Sequence, residues 1–159
     1  MTLRILIVLA AAACFSQVAA QPAAPPAAAP GPPAAAEPDV QPTLGDDKDT
    51  IEATRKWLAL LDAGKAGAAW DVASPYLKSV VKRQKWVTEI NSARKPFGKF
   101  TSRKAEKFAR AHSLPGAPDG DYSIIEFESV FANGRHASEQ VIWMLESGDV
   151  WRVSGYYIR

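Results

Sequence analysis

An alanine- and proline-rich run at residues 21–43 restricts the folded part of this chain to the residues that follow it. The run reads QPAAPPAAAPGPPAAAEPDVQPT and contains no aromatic residue, so it cannot form a hydrophobic core. Proline favours extended, polyproline-like backbone, and we predict a disordered, semi-rigid linker. Residues 44–159 hold all five tryptophans and are enough for a single domain with a modest core.

Residues 1–20 have the features of a signal peptide. Arg4 is the only charged residue before Glu37, and it is followed by an apolar stretch of signal-peptide length that ends in the small residues Val18-Ala19-Ala20. This pattern predicts export with cleavage after Ala20, so the mature protein is expected in the periplasm or outside the cell. A nucleic-acid partner is not expected in that location.

Cys14 is the only cysteine of the chain. Ala11-Ala12-Ala13 stand before it, and the site loosely resembles the box of bacterial lipoproteins, in which the cysteine is acylated. Lipidation would place the protein on a membrane, with the linker as a stalk. The alternative is that Cys14 is a small apolar residue of the signal peptide. In both cases residues 44–159 lack cysteine, which excludes disulfides and thiol chemistry there.

The first half of residues 44–159 has helical periodicity. Asp49 and Glu52 form a capping-box pattern that predicts a helix ending at Gly64. A short second helix is predicted over residues 66–73. Ser74-Pro75 is typical of a helix start and predicts a third helix that runs to about Asn91. Its inward residues are expected to be Leu77, Val80, Val81, Val87 and Ile90.

The second half alternates polar and apolar residues, as strands do. Strands are predicted over residues 100–112, 122–131, 139–146 and 150–158, separated by turn residues such as Asn133-Gly134. Helices followed by antiparallel strands indicate an α+β fold: about three N-terminal helices packed on a curved, four-stranded antiparallel sheet.

The chain resembles a known bacterial secreted family, the domain of unknown function DUF4019, between about Thr50 and Ile158. Its most specific matching pieces are a proline- and glycine-rich loop and the closing segment Trp151-Arg152-Val153-Ser154-Gly155-Tyr156. The family has no established activity, so the resemblance implies a class and a location only. The order of elements is also similar to the cones of nuclear transport factor 2-like (NTF2-like) and cystatin-like folds.

The motifs of common enzyme classes are absent from the sequence. It has no Walker loop, no nucleophile elbow and no dinucleotide-binding glycine motif, and its two histidines, His112 and His136, do not make a zinc site. No catalytic residue, metal or cofactor is therefore predicted. A lone carboxylate in a cone could act as a general base, with Asp62, Asp71 and Glu139 as candidates. The alternative is that Asp62 and Asp71 lie near helix ends on solvated faces and that Glu139 pairs across strands.

The charge distribution is the strongest functional signal. Between Tyr76 and Arg110 the sequence has eleven basic and two acidic residues. This excess predicts a surface for an anionic partner, such as a component of the cell envelope, although a solvated face is the alternative. We call this predicted surface the basic face, and it consists of Lys78, Lys82, Arg83 and Lys85.

Aromatic residues on the three predicted helices suggest an interior site. They could line a pocket for a small apolar ligand, with an arginine holding its acid group, or they could simply form the core. The residues concerned are Trp57, Trp70, Trp86, Arg94, Arg103 and Tyr156.

Three function classes follow from these observations. The first is a non-enzymatic binding or interaction module of the envelope. The alternatives are a small-molecule enzyme of the cone-fold type with a carboxylate base, and a structural envelope lipoprotein.

Overall fold

The computed structural model describes residues 41–42 and 48–159. The predicted signal peptide, Cys14 and all but two residues of the predicted linker lie outside the described residues. The helices are α1 (Lys48–Asp62), α2 (Ala66–Asp71), α3 (Pro75–Val80) and α4 (Arg83–Arg94). The strands are β1 (Gln41–Pro42), β2 (Phe100–Ala111), β3 (Tyr122–Phe131), β4 (Arg135–Glu146) and β5 (Val150–Ile158).

The strands form one antiparallel sheet in chain order, β1-β2-β3-β4-β5. The four long strands confirm the predicted four-stranded sheet, although β4 begins at Arg135, four residues before its predicted start. The connection between β3 and β4 places Asn133 and Gly134 at φ of 65° and 69°, as the predicted Asn-Gly turn requires.

The two-residue strand β1 corrects the boundary of the predicted linker. Gln41 and Pro42 pair with Arg110 and Ala109 of β2, although the sequence placed both in the disordered segment 21–43. Proline is compatible with this position because an edge strand has one side without ladder hydrogen bonds.

One face of the sheet packs on the helices and forms the core, which confirms the α+β class. On β3 the alternate residues Ile125, Phe127 and Phe131 are almost completely buried. Ile125 and Phe127 share one hydrophobic cluster with buried residues of the helices, including Trp57, Leu58 and Trp86. Alternation along the strand thus predicted the inner face correctly.

The ends of the first helices follow the predicted chemistry in two of three cases. Gly64 has a φ of 70°, and the Gly64 and Lys65 amides donate to the carbonyls of Leu61 and Leu60, which is a Schellman ending. The Ser74 hydroxyl accepts from the Leu77 amide at 3.0 Å. Asp49 differs, because α1 begins at Lys48 and Asp49 lies inside its first turn.

The predicted third helix is two helices, α3 and α4, and this break is a correction to the sequence analysis. Val81 is extended, with φ of −136° and ψ of 127°, and its side chain is buried. Its carbonyl accepts a hydrogen bond from the Trp70 indole at 3.0 Å. A tertiary hydrogen bond therefore stabilises the break, and Val80, which was expected to face inward, is 49% exposed.

Within residues 41–42 and 48–159, no helix has both the length and the apolar character that a bilayer crossing requires.

Candidate functional site: a buried ion cluster and a basic face

Six polar side chains converge between the helices and the inner face of the sheet. The two helical members are the last residues of α1 and α4, and each of the four long strands contributes one of the others. We call this group the ion cluster, and it consists of Asp62, Arg94, Arg103, Ser129, Glu139 and Tyr156.

Glu139 is the centre of the ion cluster. Its side chain has no exposed surface, and both of its oxygens accept hydrogen bonds. Oε1 accepts from Arg94 and from the Tyr156 hydroxyl, the latter at 2.6 Å. Oε2 accepts from Ser129 and from Arg103, the latter at 3.1 Å. A buried carboxylate with four donors is well compensated for its lost hydration.

Asp62 completes the charge balance of the ion cluster. Its Oδ1 accepts from Nη2 of Arg103 at 2.9 Å and also from Nη2 of Arg94. Two guanidinium groups are therefore matched by two carboxylates. Such a closed arrangement holds its members in one geometry, because removal of any partner would leave an uncompensated buried charge.

The protonation states in the ion cluster are set by these contacts. Burial raises the pKa of Glu139, but the charges of Arg94 and Arg103 and the hydrogen bonds from Ser129 and Tyr156 outweigh burial and lower it. Burial and the adjacent Glu139 raise the pKa of Tyr156 well above its ordinary value. At neutral pH Glu139 is thus ionised and Tyr156 keeps its proton.

This chemistry does not favour the predicted general base. A base needs a free lone pair and a pKa near the working pH, whereas Glu139 has a lowered pKa and donors on both oxygens. Asp62 is bound by the same two arginines. The third candidate, Asp71, lies elsewhere and is held by Arg83 through contacts of 2.8 and 3.1 Å, which lower its pKa.

The tryptophans of the predicted interior pocket act as hydrogen-bond donors within the fold. The Trp57 and Trp86 indoles donate to the carbonyls of Ala69 and Ala66, at 3.2 and 2.9 Å. The Trp57 ring also packs on Trp86 and Tyr156, with centroids 6.3 and 5.8 Å away. These rings fasten the short helix α2 to α1 and α4.

The structure therefore brings together five of the six residues predicted for an interior pocket, and Trp70 is the exception. Trp70 is partly exposed, and the Lys78 ammonium nitrogen lies over its ring, 5.5 Å from the ring centroid. Two cavities, of about 440 and 340 Å³, are lined by residues of the sheet and its turns, and neither lining includes any of the six. Ligand binding at the packed rings stays a prediction.

The cations of the basic face differ in how closely they are paired with other groups. Arg83 is paired with Asp71, and its guanidinium group lies over Gly67, where a Cβ atom would be 2.4 Å from Nη2. Lys78 donates to the Asp71 carbonyl at 2.7 Å. Lys85 is 3.7 Å from Glu89, with 69% of its side chain exposed.

Lys82 differs from the other cations of the basic face. Within the described residues its ammonium group makes no hydrogen bond or ion pair, and Lys82 occupies the N-cap of α4 without a side-chain cap. Lys82, Arg83 and Lys85 all lie at the positive end of the α4 dipole, where cations are unfavourable. The sequence thus keeps positive charge at this point at a cost in local stability.

Two valines extend the basic face and were missed by the sequence analysis. Val72 and Val80, at the ends of α2 and α3, are 51% and 49% exposed. Helical periodicity placed Val80 inside, and only the break at Val81 turns it outward. Ser129 was also missed, although its place among the alternating inward residues of β3 would have indicated an inner-face position.

The histidines lie on the surface and do not form a metal site. His112 contacts Asp121 at 2.6 Å, and His136 contacts Glu128 at 3.0 Å. In the part of the chain that the structure describes, no group of three or more histidine, cysteine, aspartate or glutamate residues is placed to hold a metal ion.

Comparisons with known proteins identify a matching family and one similar solved structure. A solved structure from Campylobacter jejuni, described as an NTF2-like transpeptidase, is similar at 16% sequence identity and a TM-score of 0.46, covering 67% of this chain and 97% of that one. No curated protein matches the sequence. The family described as "Protein of unknown function (DUF4019)" matches residues 53–156. This match covers most of the folded region, and the chain belongs to the DUF4019 family.

Proposed function

We propose that this chain is a non-catalytic binding module of the bacterial cell envelope, which contacts an anionic component of that envelope through the basic face. The observation that carries the proposal is the uncapped, cationic start of α4. The Lys82 ammonium group has no partner among the described residues, and that of Lys85 is 3.7 Å from a Glu89 oxygen. Residues that lower local stability and are not needed for packing are expected at functional positions.

The ion cluster supports a binding role over a catalytic one. Its carboxylates are engaged by two arginines, and the aromatic residues beside it are packed on one another. The interior of the domain is thus organised for stability. The cations of the basic face, in contrast, are on the outside, on α3 and at the start of α4.

A soluble phosphate polymer tests the proposed function without any lipid. We expect fluorescently labelled inorganic polyphosphate to bind the protein exported through its own leader, with an affinity that falls as salt is added. The double variant Lys82→Gln/Lys85→Gln should bind about tenfold more weakly, because an exposed charge contact contributes up to about 1 kcal/mol.

Lys95 and Lys99 provide the matched control. Both are exposed, and the double variant Lys95→Gln/Lys99→Gln removes the same net charge. Lys95 follows the other end of α4, about 20 Å from Lys82 at ~1.5 Å per residue. Equal weakening in the two variants would mean that polyphosphate senses only net charge, and the proposed function would then be wrong.

A further inference from the structure

We propose that the partner of the basic face is the surface of an anionic lipid bilayer, with Val72 and Val80 inserted among the headgroups. This inference rests on the proposed function and goes beyond it, because it names the class of partner and adds two apolar residues to the contact. No lipidation of the chain is required for it.

The distribution of exposed apolar side chains is the first argument. Among the described residues, four large hydrophobic side chains are conspicuously exposed: Val72, Val80, Val150 and Tyr157. Val150 and Tyr157 belong to β5. Of the two most exposed, Val80 ends α3, which carries Lys78, and Val72 follows Asp71, the partner of Lys78 and Arg83. Apolar and cationic groups therefore coincide on one surface.

The contacts around Asp71 place these groups side by side. Val72 directly follows Asp71, whose carbonyl accepts from Lys78 and whose carboxylate binds Arg83. Val80 lies between Lys78 and Lys82 in sequence, and the adjacent Val81 carbonyl is tied to α2 by the Trp70 indole. The C-terminal ends of α2 and α3 and the start of α4 are thus joined, with Val80 between two lysines in sequence and Val72 next to the residue that binds Lys78 and Arg83.

A bilayer surface fits this combination better than a soluble polyanion does. A polyanion would neutralise the lysines and leave both valines in water. At a membrane surface, lysines near anionic headgroups each gain electrostatic free energy, while apolar side chains leave water for the acyl boundary. Lysine is suited to this position because its stem can lie along apolar surface while the ammonium group reaches the phosphates.

Two valines bury little area, so the expected association is reversible and sensitive to salt. This association needs both the electrostatic attraction of the lysines and the burial of the valines. The prediction is that loss of either the charges or the valines weakens vesicle binding, whereas only loss of the charges weakens binding to a soluble phosphate polymer.

The experiment is sedimentation of the protein with vesicles of phosphatidylglycerol and phosphatidylcholine, compared with vesicles of phosphatidylcholine alone. We expect binding to the anionic vesicles only. The variant Lys82→Gln/Lys85→Gln should bind them about 25-fold more weakly, since each lysine near the surface contributes about a fivefold effect. The variant Val72→Ser/Val80→Ser should lose about fivefold.

The remaining exposed hydrophobics supply the control, because Val150→Ser/Tyr157→Ser removes similar exposed apolar groups outside the basic face. It should bind anionic vesicles as the parent does. If Val72→Ser/Val80→Ser also binds anionic vesicles as the parent does, the bilayer inference is overturned and the proposed function remains. The same holds if the parent protein binds polyphosphate but does not bind anionic vesicles. If neither probe binds, the proposed function itself fails.

Discussion

The ion cluster and the basic face use the same kinds of side chain in opposite ways. In the ion cluster, charges of both signs are buried and matched, so that each member is held by the others. On the basic face the charges are of one sign, exposed and incompletely paired. The difference shows that burial, more than residue type, separates charges that stabilise this fold from charges available to a partner.

Substitution of Glu139 in the ion cluster should cause the greatest loss of stability. The substitution Glu139→Gln removes the buried charge that balances two guanidinium groups, and we expect the free energy of unfolding to fall by about 3–5 kcal/mol, as measured by urea denaturation. The control is Glu126→Gln on β3, where ion pairs of 3.8 and 3.5 Å to the exposed Lys107 and Arg159 should matter by less than about 1 kcal/mol. Similar losses in the two variants would contradict the central role of Glu139.

Lowering the pH should distinguish the ion cluster from the basic face, because acid acts on the ion cluster through Glu139. The folded-state pKa of this group lies below its ordinary value of 4.5. The contribution of Glu139 to stability is therefore complete above pH 4.5 and is lost as the pH falls through the folded-state value, since the unfolded chain takes up the proton first.

The measurement is the urea midpoint at a series of pH values on both sides of 4.5. The parent protein should lose stability more steeply with falling pH than Glu139→Gln, which has no proton to gain at this position. Parallel curves would show that Glu139 is not held by its partners in the folded state.

Substitution of Lys82 should have a smaller effect, which raises stability and weakens binding. Serine is a favourable N-cap, so Lys82→Ser should raise the free energy of unfolding by about 1 kcal/mol. The same change should weaken binding to anionic vesicles about fivefold. Thermal denaturation and vesicle sedimentation measure the two effects.

Lys95, the C-cap residue of α4, is the matched control for Lys82. A cation is favourable at this end of a helix, so Lys95→Ser should lower stability by a few tenths of a kcal/mol and leave binding unchanged. If Lys82→Ser stabilised the protein and bound vesicles as tightly as the parent, Lys82 would have no part in partner contact.

Local sequence chemistry predicted most of the fold. The Ser74 cap, the Gly64 ending and the alternation along β3 depend on neighbours in the chain, and all three were found as expected. The break between α3 and α4 was missed, because it depends on a hydrogen bond from the Trp70 indole across helices. The strand β1 was missed because composition alone does not reveal edge pairing.

The ion cluster could be predicted only in part. The sequence analysis listed Arg94 and Arg103 for an interior pocket, and it considered Asp62 and Glu139 as possible bases and not as partners of the two arginines. The pairs join residues 32 to 45 positions apart in the chain. Such pairing is fixed by strand register and helix docking, which a single sequence does not specify.

We expect the ion cluster to hold the fold while the basic face binds the partner, and two variants measured in parallel test this division of roles. Tyr156→Phe removes the hydroxyl between Arg94 and Glu139, whereas Lys82→Gln/Lys85→Gln leaves the interior intact. Each variant is measured by urea denaturation and by polyphosphate binding. We predict that Tyr156→Phe loses about 1–2 kcal/mol of stability and binds normally. The lysine variant should be at least as stable as the parent, because it removes cations from the start of α4, and should bind weakly. A folded Tyr156→Phe protein that cannot bind, beside a lysine variant that can, would contradict the account.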